Sequence, residues 1–216
     1  MTQMSFTLLI ALFVFAPCLS FAEEIQVSRF ATDGLSEWEA KSFKGKTEYN
    51  LVKEGSRTVV KATSHSSASG MIRKISFQPS KYRYLRWSWK IASTIKNGDE
   101  KLKSGDDYAA RIYIVFPGRY FWQMKAINYI WANKLTKGSS ISSSYASDSK
   151  MIAVESGNAK AGQWLSEERD LSADYRLLFG TDPPEADAIA IMTDTDNTGS
   201  SAEAWYGEIT LSTDRR

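Results

Sequence analysis

The stretch from Gly105 to Phe116, GDDYAARIYIVF, constrains the fold more than any other part of the chain. Two carboxylates, Asp106 and Asp107, stand directly before a run that alternates like a β-strand. Ala110, Ile112, Ile114 and Phe116 fall on one side, and Ala109, Arg111, Tyr113 and Val115 on the other. That is the period of two of a half-buried strand, whose apolar side must be covered by a second layer. The opposite side carries a guanidinium, which needs a carboxylate or a ligand once water is displaced. Arg86, Glu155 and Asp194, on other predicted strands, are expected to present themselves to that same face.

The remaining chain repeats the pattern in short segments. Ile25 to Phe30 reads as a first strand, followed by an Asp33-Gly34 turn and an anchoring Trp38. Residues 47–52 and 58–62 are two strands around a turn at Glu54-Gly55-Ser56, and 70–77 is a strand stopped by Pro79. Between Tyr84 and Ile91 the residues Leu85, Trp87, Trp89 and Ile91 share one face, opposite Tyr84, Arg86, Ser88 and Lys90. Two tryptophans on one face suit either a core or a sugar-stacking platform; the flanking Leu85 and Ile91 favour core. Residues 151–156, 162–171, 188–193 and 203–211 are further strands. One helix is predicted, ADYRLLFG, capped by Ser172 and closed at Gly180 before Pro183-Pro184. Residues 126–131 fit no single helical stripe, so helix and extended loop compete there. Residues 96–105 read as a charged loop, and Gly138 to Ser149, rich in serine, reads as a mobile surface loop. Short strands with regular turns and one helix predict an all-β fold, an antiparallel two-sheet β-sandwich.

Ahead of these elements lies SFTLLIALFVFA, residues 5–16, an uncharged apolar run too short to span a bilayer. Ser20-Phe21-Ala22 then offers small residues at the −3 and −1 positions of a cleavage site. The run lacks the usual preceding Lys or Arg, yet it reads as a signal peptide over 1–22, with one domain over 23–216. The expected location is periplasmic or secreted, with no stable membrane span after cleavage. Cys18, the single cysteine, falls inside the signal, so the mature chain has no disulfide, thiolate metal site or cysteine nucleophile. The only histidine, His65, lies in a polar run and reads as a solvated turn residue, which argues against a Ser-His-Asp triad or a histidine metal site. A formal charge of +2, with acids and bases mixed and no basic block, argues against nucleic acid as a partner.

The candidate site is drawn from the polar strand faces and the aromatic segment 120–131. Arg86, Asp106, Asp107, Arg111, Glu155, Glu168 and Arg169 supply planar groups for paired hydroxyls. Tyr113, Trp122, Asn128, Tyr129 and Trp131 supply aromatic faces and an amide for sugar rings. The same charges also suit a solvated lattice of ion pairs. In DTDNTG, Asp194, Asp196 and Asn197 place oxygen ligands on a tight turn, as calcium requires. The loop begins like an EF-hand, but Thr198 holds the fifth position and Trp205 the twelfth, so an EF-hand is excluded. A calcium site of another type, a plain Asx turn and a ligand-binding role for these carboxylates all remain open. The function that joins these features is non-catalytic glycan binding on a polar and aromatic sheet face. Two alternatives stand beside it. One is a glycan-cleaving enzyme, hydrolase or lyase, whose carboxylates come from Glu155, Glu168 or Asp107. The other is a structural envelope protein whose aromatic segment binds another protein.

Five blocks, YLRWSWK (84–90), GDDYAARIYIVF (105–116), AINYIW (126–131), GQWLSEERDLSADYRLLFG (162–180) and IMTDTDNTGSSAEAWYGEI (191–209), resemble a family of exported bacterial proteins, domain-of-unknown-function family 3047. They cover most of the mature chain in order, and the resemblance brings no established activity. More loosely, the strand order is similar to jelly-roll modules of the galactose-binding type. That resemblance implies glycan binding and a structural calcium by fold analogy alone.

Overall fold

The computed structural model describes residues 22–118 and 124–216. The alternating stretch forms as its pattern requires. Arg111–Phe116 is a strand with Ile112, Ile114 and Phe116 in the core and Arg111 and Tyr113 on the outer face. In chain order it is β7. Before it come β1 (Glu24–Gln26), β2 (Glu39–Lys44), β3 (Glu48–Glu54), β4 (Arg57–His65), β5 (Ala68–Phe77) and β6 (Tyr84–Ile91). After it come β8 (Lys125–Ala132), β9 (Ser140–Ser142), β10 (Ser149–Ser156), β11 (Leu165–Asp170), the helix α1 (Leu171–Phe179), β12 (Ala186–Asp194) and β13 (Ser201–Ser212).

The strands make two sheets. One runs β11-β6-β13-β4-β3, with β1 added against β13; the other runs β2-β5-β12-β7-β8-β10-β9. From β4 onward the chain crosses repeatedly between layers, so β4-β13-β6-β11 face β5-β12-β7-β8. That is the strand order of a jelly roll. The core between them is aromatic. Trp87 stacks on Tyr129 with ring centroids 5.4 Å apart and meets Trp89 edge-on at 5.3 Å, and Trp89 leans on Trp131 at 5.9 Å. The tryptophans of β6 are therefore core, as the flanking Leu85 and Ile91 imply. Truncating one such ring costs about 3–5 kcal/mol.

Several local expectations are corrected. Residues 125–132 are neither helix nor loop but strand β8, six of whose eight residues are buried. Two-sided burial removes the alternation that normally marks a strand, which is why the pattern points only to helix or extended loop there. The predicted strand 25–30 shortens to β1, and β2 and β9 are additional edge strands. The helix is capped by Asp170, whose carboxylate accepts from the Ala173 amide at 3.0 Å. Ser172 lies inside the helix and donates to the Pro79 carbonyl at 2.8 Å. Gly180 ends α1 in the left-handed conformation, φ 72°, where a side chain is strained.

The serine-rich stretch 138–149 lies at the surface, as expected, but three of its residues form strand β9. β8 and β10 are parallel neighbours, so the chain between them must cross over and cannot be a tight hairpin. The crossover carries β9 and lays Leu135 and Ile141 on a second apolar cluster, Tyr108, Ile130, Ala132, Met151 and Ala153, on the outer face of this sheet. Glu100 braces its start, accepting the backbone N–H groups of Asn133 (2.5 Å) and Leu135 (2.9 Å). The face that β7 presents outward is thus partly roofed by the protein itself.

Candidate functional site

The residues expected to converge do not share one face. Arg111 and Asp194 meet on the β7 sheet: the guanidinium holds the carboxylate with two nitrogens, Nε at 3.0 Å and Nη2. Arg86 and Glu168 lie on the opposite sheet, joined Nε to Oε2 at 2.8 Å, with Arg86 Nη1 reaching Glu24 at 3.0 Å. Glu155 is held by Lys137 (3.0 Å) and Lys160 (2.9 Å), and Arg169 by Asp174. The cause is parity and layer. Residues on the outer sides of β6 and β7 look in opposite directions because the two strands belong to opposing sheets. Glu155, Glu168 and Asp107 consequently do not face one another as a catalytic pair.

The aromatic candidates divide in the same way. Tyr129 and Trp131 project into the core and are fully buried. The Tyr129 hydroxyl donates to Asp174 at 2.8 Å and the Trp131 indole donates to the Gly157 carbonyl at 2.9 Å. Neither ring is available to stack on a sugar, which corrects both assignments. Burial pushes the Tyr129 hydroxyl well above the usual tyrosine range, so it acts as a neutral donor. Asn128 is buried on the outer side of β8 and donates to Ser149 Oγ at 2.7 Å. Tyr113 is half-buried, 5.6 Å from the Arg111 guanidinium. Trp122 lies outside the described residues.

The acidic end of the β7 sheet is tightly organised. Asp107, Asp194 and Asp196 each offer an oxygen within 4.8 Å of the others, close enough for the three to hold a metal ion. The protein's own donors already occupy much of this corner. Asp107 accepts four bonds, from the Asn197 amide and side chain (both 3.2 Å) and from the Thr198 amide (2.7 Å) and hydroxyl (2.6 Å). Those four fill the acceptor sites of a carboxylate. Asp194 Oδ1 also accepts the Tyr108 amide at 3.2 Å, and Asp106 receives the hydroxyls of Tyr108 (2.8 Å) and Ser144 (3.2 Å). Asn197 accepts from the Tyr145 hydroxyl, so the crossover loop is pinned to DTDNTG. Tyr108 packs against Arg111 at 4.5 Å, completing a guanidinium closed in by rings and carboxylates.

The other sheet is open. A groove of about 710 Å³ runs over its outer face, lined by residues of β4, β6, β11 and β13, among them Arg86, Ser88 and Glu168. That volume falls in the range of small-ligand clefts, about 300–1,000 Å³. Beside the groove the face continues as a ladder of cations and indoles. Arg57 lies 4.4 Å from the Trp164 ring, and Lys90 lies 4.2 Å from Trp205 and 5.6 Å from Trp164. Lys90 is tied to Glu54 at 2.8 Å, and Lys61, 5.2 Å from Trp205, is tied to Glu203 at 2.6 Å. Trp164 and Trp205 are half-exposed aromatics of this face. Sequence reasoning missed both. Trp205 was recoverable, since Ala204 and Tyr206 face the core and parity places the residue between them outside. Trp164 precedes its strand and carries no periodic signal.

Among the described residues no helix is long and apolar enough to cross a membrane. The chain is similar in structure to the family 11 carbohydrate-binding module of the cellulosomal cellulase Lic26A-Cel5E of Clostridium thermocellum, with 12% identity, a TM-score of 0.48, and coverage of 89% of this chain and 95% of that one. It is also similar to the mannan-recognising carbohydrate-binding module TmCBM27 (10% identity, TM-score 0.38, 91% and 100% covered). A third is the winged bean acidic lectin complexed with methyl-α-D-galactose (10% identity, TM-score 0.39, 91% and 100% covered). Likeness at this level bears on none of the site assignments. No curated protein matches the chain. A family model does match, over residues 36–210, and it covers the acidic corner, most of the groove lining, the whole seven-stranded sheet and the other sheet apart from β1 and the last two residues of β13. The chain belongs to the family described as protein of unknown function, DUF3047.

Proposed function

We propose that this is an exported protein that binds a glycan, without cleaving it, on the outer face of the β6 sheet. One observation carries the reading: two half-exposed indoles, Trp164 and Trp205, stand beside a groove lined with hydroxyls and planar charged groups. Sugars offer hydroxyls at their edges and C–H groups on their faces, and this surface has a counterpart for each. Cation–π contacts with Arg57 and Lys90 hold the indoles in place, which lowers the ordering cost of binding. The proposed export rests on the apolar segment 5–16 and the small residues at 20 and 22. At the acidic corner we read DTDNTG as an Asx turn closed by Asp107 rather than as a calcium site, because two of the three carboxylates, Asp107 and Asp194, are already taken up by amides, a hydroxyl and Arg111.

The test is a glycan array and a polysaccharide pull-down with the chain starting at Glu23, run in calcium and in EDTA. Binding that disappears in Trp164→Ala and Trp205→Ala is expected. Retention of binding in both variants would remove the face from consideration, and silence across the array would sink glycan binding itself.

A further inference from the structure

The glycan reading leaves open what kind of glycan the groove accepts, and the charge pattern of its walls answers that question. The ionisable side chains of the lining are three arginines, Arg57, Arg86 and Arg216, and three glutamates, Glu167, Glu168 and Glu208. The central ones are already spent on each other: Arg86 grips Glu168 and Glu24, and Glu168 also receives the Arg216 amide at 3.1 Å. The neighbouring lysines, Lys61 and Lys90, are paired with Glu203 and Glu54. A uronate, sulfate or phosphate entering here would find no uncommitted cluster of cations, and it would lose hydration without recovering it.

The neutral groups at the floor are differently disposed. Ser88 on β6 and Ser166 on β11 stand directly opposite each other, both in the groove wall. Neither hydroxyl bonds another group among the described residues. Next to them the β6–β13 ladder is interrupted between Tyr206 and Ile209, and the break brings Gly207 against Ser88. A methyl group at Gly207 would collide with Ser88 Oγ, so the glycine is what leaves that hydroxyl its room. An open hydroxyl pair in a charge-compensated groove is a receptor for hydroxyls.

We infer that the groove recognises an uncharged glycan, with Ser88 and Ser166 reading its hydroxyls and Gly207 keeping the space above Ser88 clear. This inference rests on the glycan reading above. The two are separated by measuring binding to soluble neutral polysaccharides (a β-glucan and a galactomannan) and to charged ones (polygalacturonate and a sulfated galactan), at low salt and at about 0.5 M NaCl, where exposed charge interactions are largely screened. The expected result is binding of a neutral polymer with affinity changing less than about twofold between the two salts. Ser88→Ala with Ser166→Ala should weaken it by about tenfold or more at an unchanged melting temperature, and Gly207→Ala should do the same by crowding Ser88. Binding of charged polymers alone, falling steeply with salt, would overturn the inference while leaving glycan binding standing. Neutral binding that ignores all three substitutions would also overturn it. Binding to none of the polymers would remove both readings.

Discussion

The outer faces of the two sheets are built from the same residue types and do different things with them. Each carries an arginine, Arg86 on β6 and Arg111 on β7, with carboxylates and aromatic rings around it. On the β7 face the crossover between β8 and β10 folds back over the sheet, buries a second apolar cluster and docks on the acidic corner. Arg111 is left with a single bidentate partner and two tyrosine rings for company. On the β6 face the same chemistry lines an open groove, and among the described residues no segment covers it. Composition made both faces candidates, and the path of one connection closed one of them.

That contrast can be broken in several ways. The largest effect is expected at the closed face. Arg111→Ala strands Asp194, which is 1% exposed, as a buried charge without a partner. Loss of about 3–5 kcal/mol in chemical denaturation should follow. A loss under about 1 kcal/mol would show that water reaches the corner and that the face is not closed. Trp131→Ala should cost a similar amount, about 3–5 kcal/mol, as a core cavity. Trp131→Phe, if it folds, should bind glycans as the parent does; a selective loss of binding in that variant would return the ring to the site.

At the open face the effects should fall on binding instead. Trp164→Ala or Trp205→Ala should reduce glycan affinity about tenfold, roughly 1.4 kcal/mol, while stability in urea moves by no more than about 1 kcal/mol. A smaller effect is expected at Glu167, on the β11 edge between the two layers. Burial raises its carboxyl above the usual range, with Trp89 donating to it at 3.3 Å. An acid whose folded pKa is raised favours the folded state below its unfolded value, and that advantage is lost as pH rises through the folded value. Glu167→Gln should therefore raise the melting temperature at neutral pH and have little effect near pH 3, about one unit below the unfolded value, where both states carry the proton. Equal effects at the two pH values would mean that ionisation is not the cause. The smallest effect is expected at DTDNTG: replacing EDTA with millimolar calcium should leave the melting temperature unchanged. A native-state ligand at a hundredfold excess over its dissociation constant adds about 2.7 kcal/mol. An upward shift of that size, abolished in Asp196→Asn, would establish an ion at the corner.

The two faces also show how far each part of the molecule could be read in advance. β6 and β7 emerged with their inward and outward sides correctly assigned, because one face of each is dry and period-two alternation reports that directly. β8 did not, since burial on both sides erases the alternation. The expected site residues do not gather on one face for a related reason. Parity says which side of its own strand Arg86 or Arg111 occupies, but not which sheet the strand joins. From sequence the fully buried Tyr129 and Trp131 look like ligand rings, because aromatic density marks core and binding surface alike.

What the sequence by itself determined was local and periodic: a β-sandwich, most of its strands, the turn glycines and the helix stop at Gly180. Those features depend on alternation, on dihedral freedom and on the missing N–H of proline, all properties of neighbouring residues. Only the tertiary structure decided that Arg86 and Arg111 face away from each other, that Asp107 closes the turn at Thr198, and that Trp164 and Trp205 share one surface. Those are contacts between residues far apart in the chain, set by which strands pair and by where one crossover travels, and no local period encodes them.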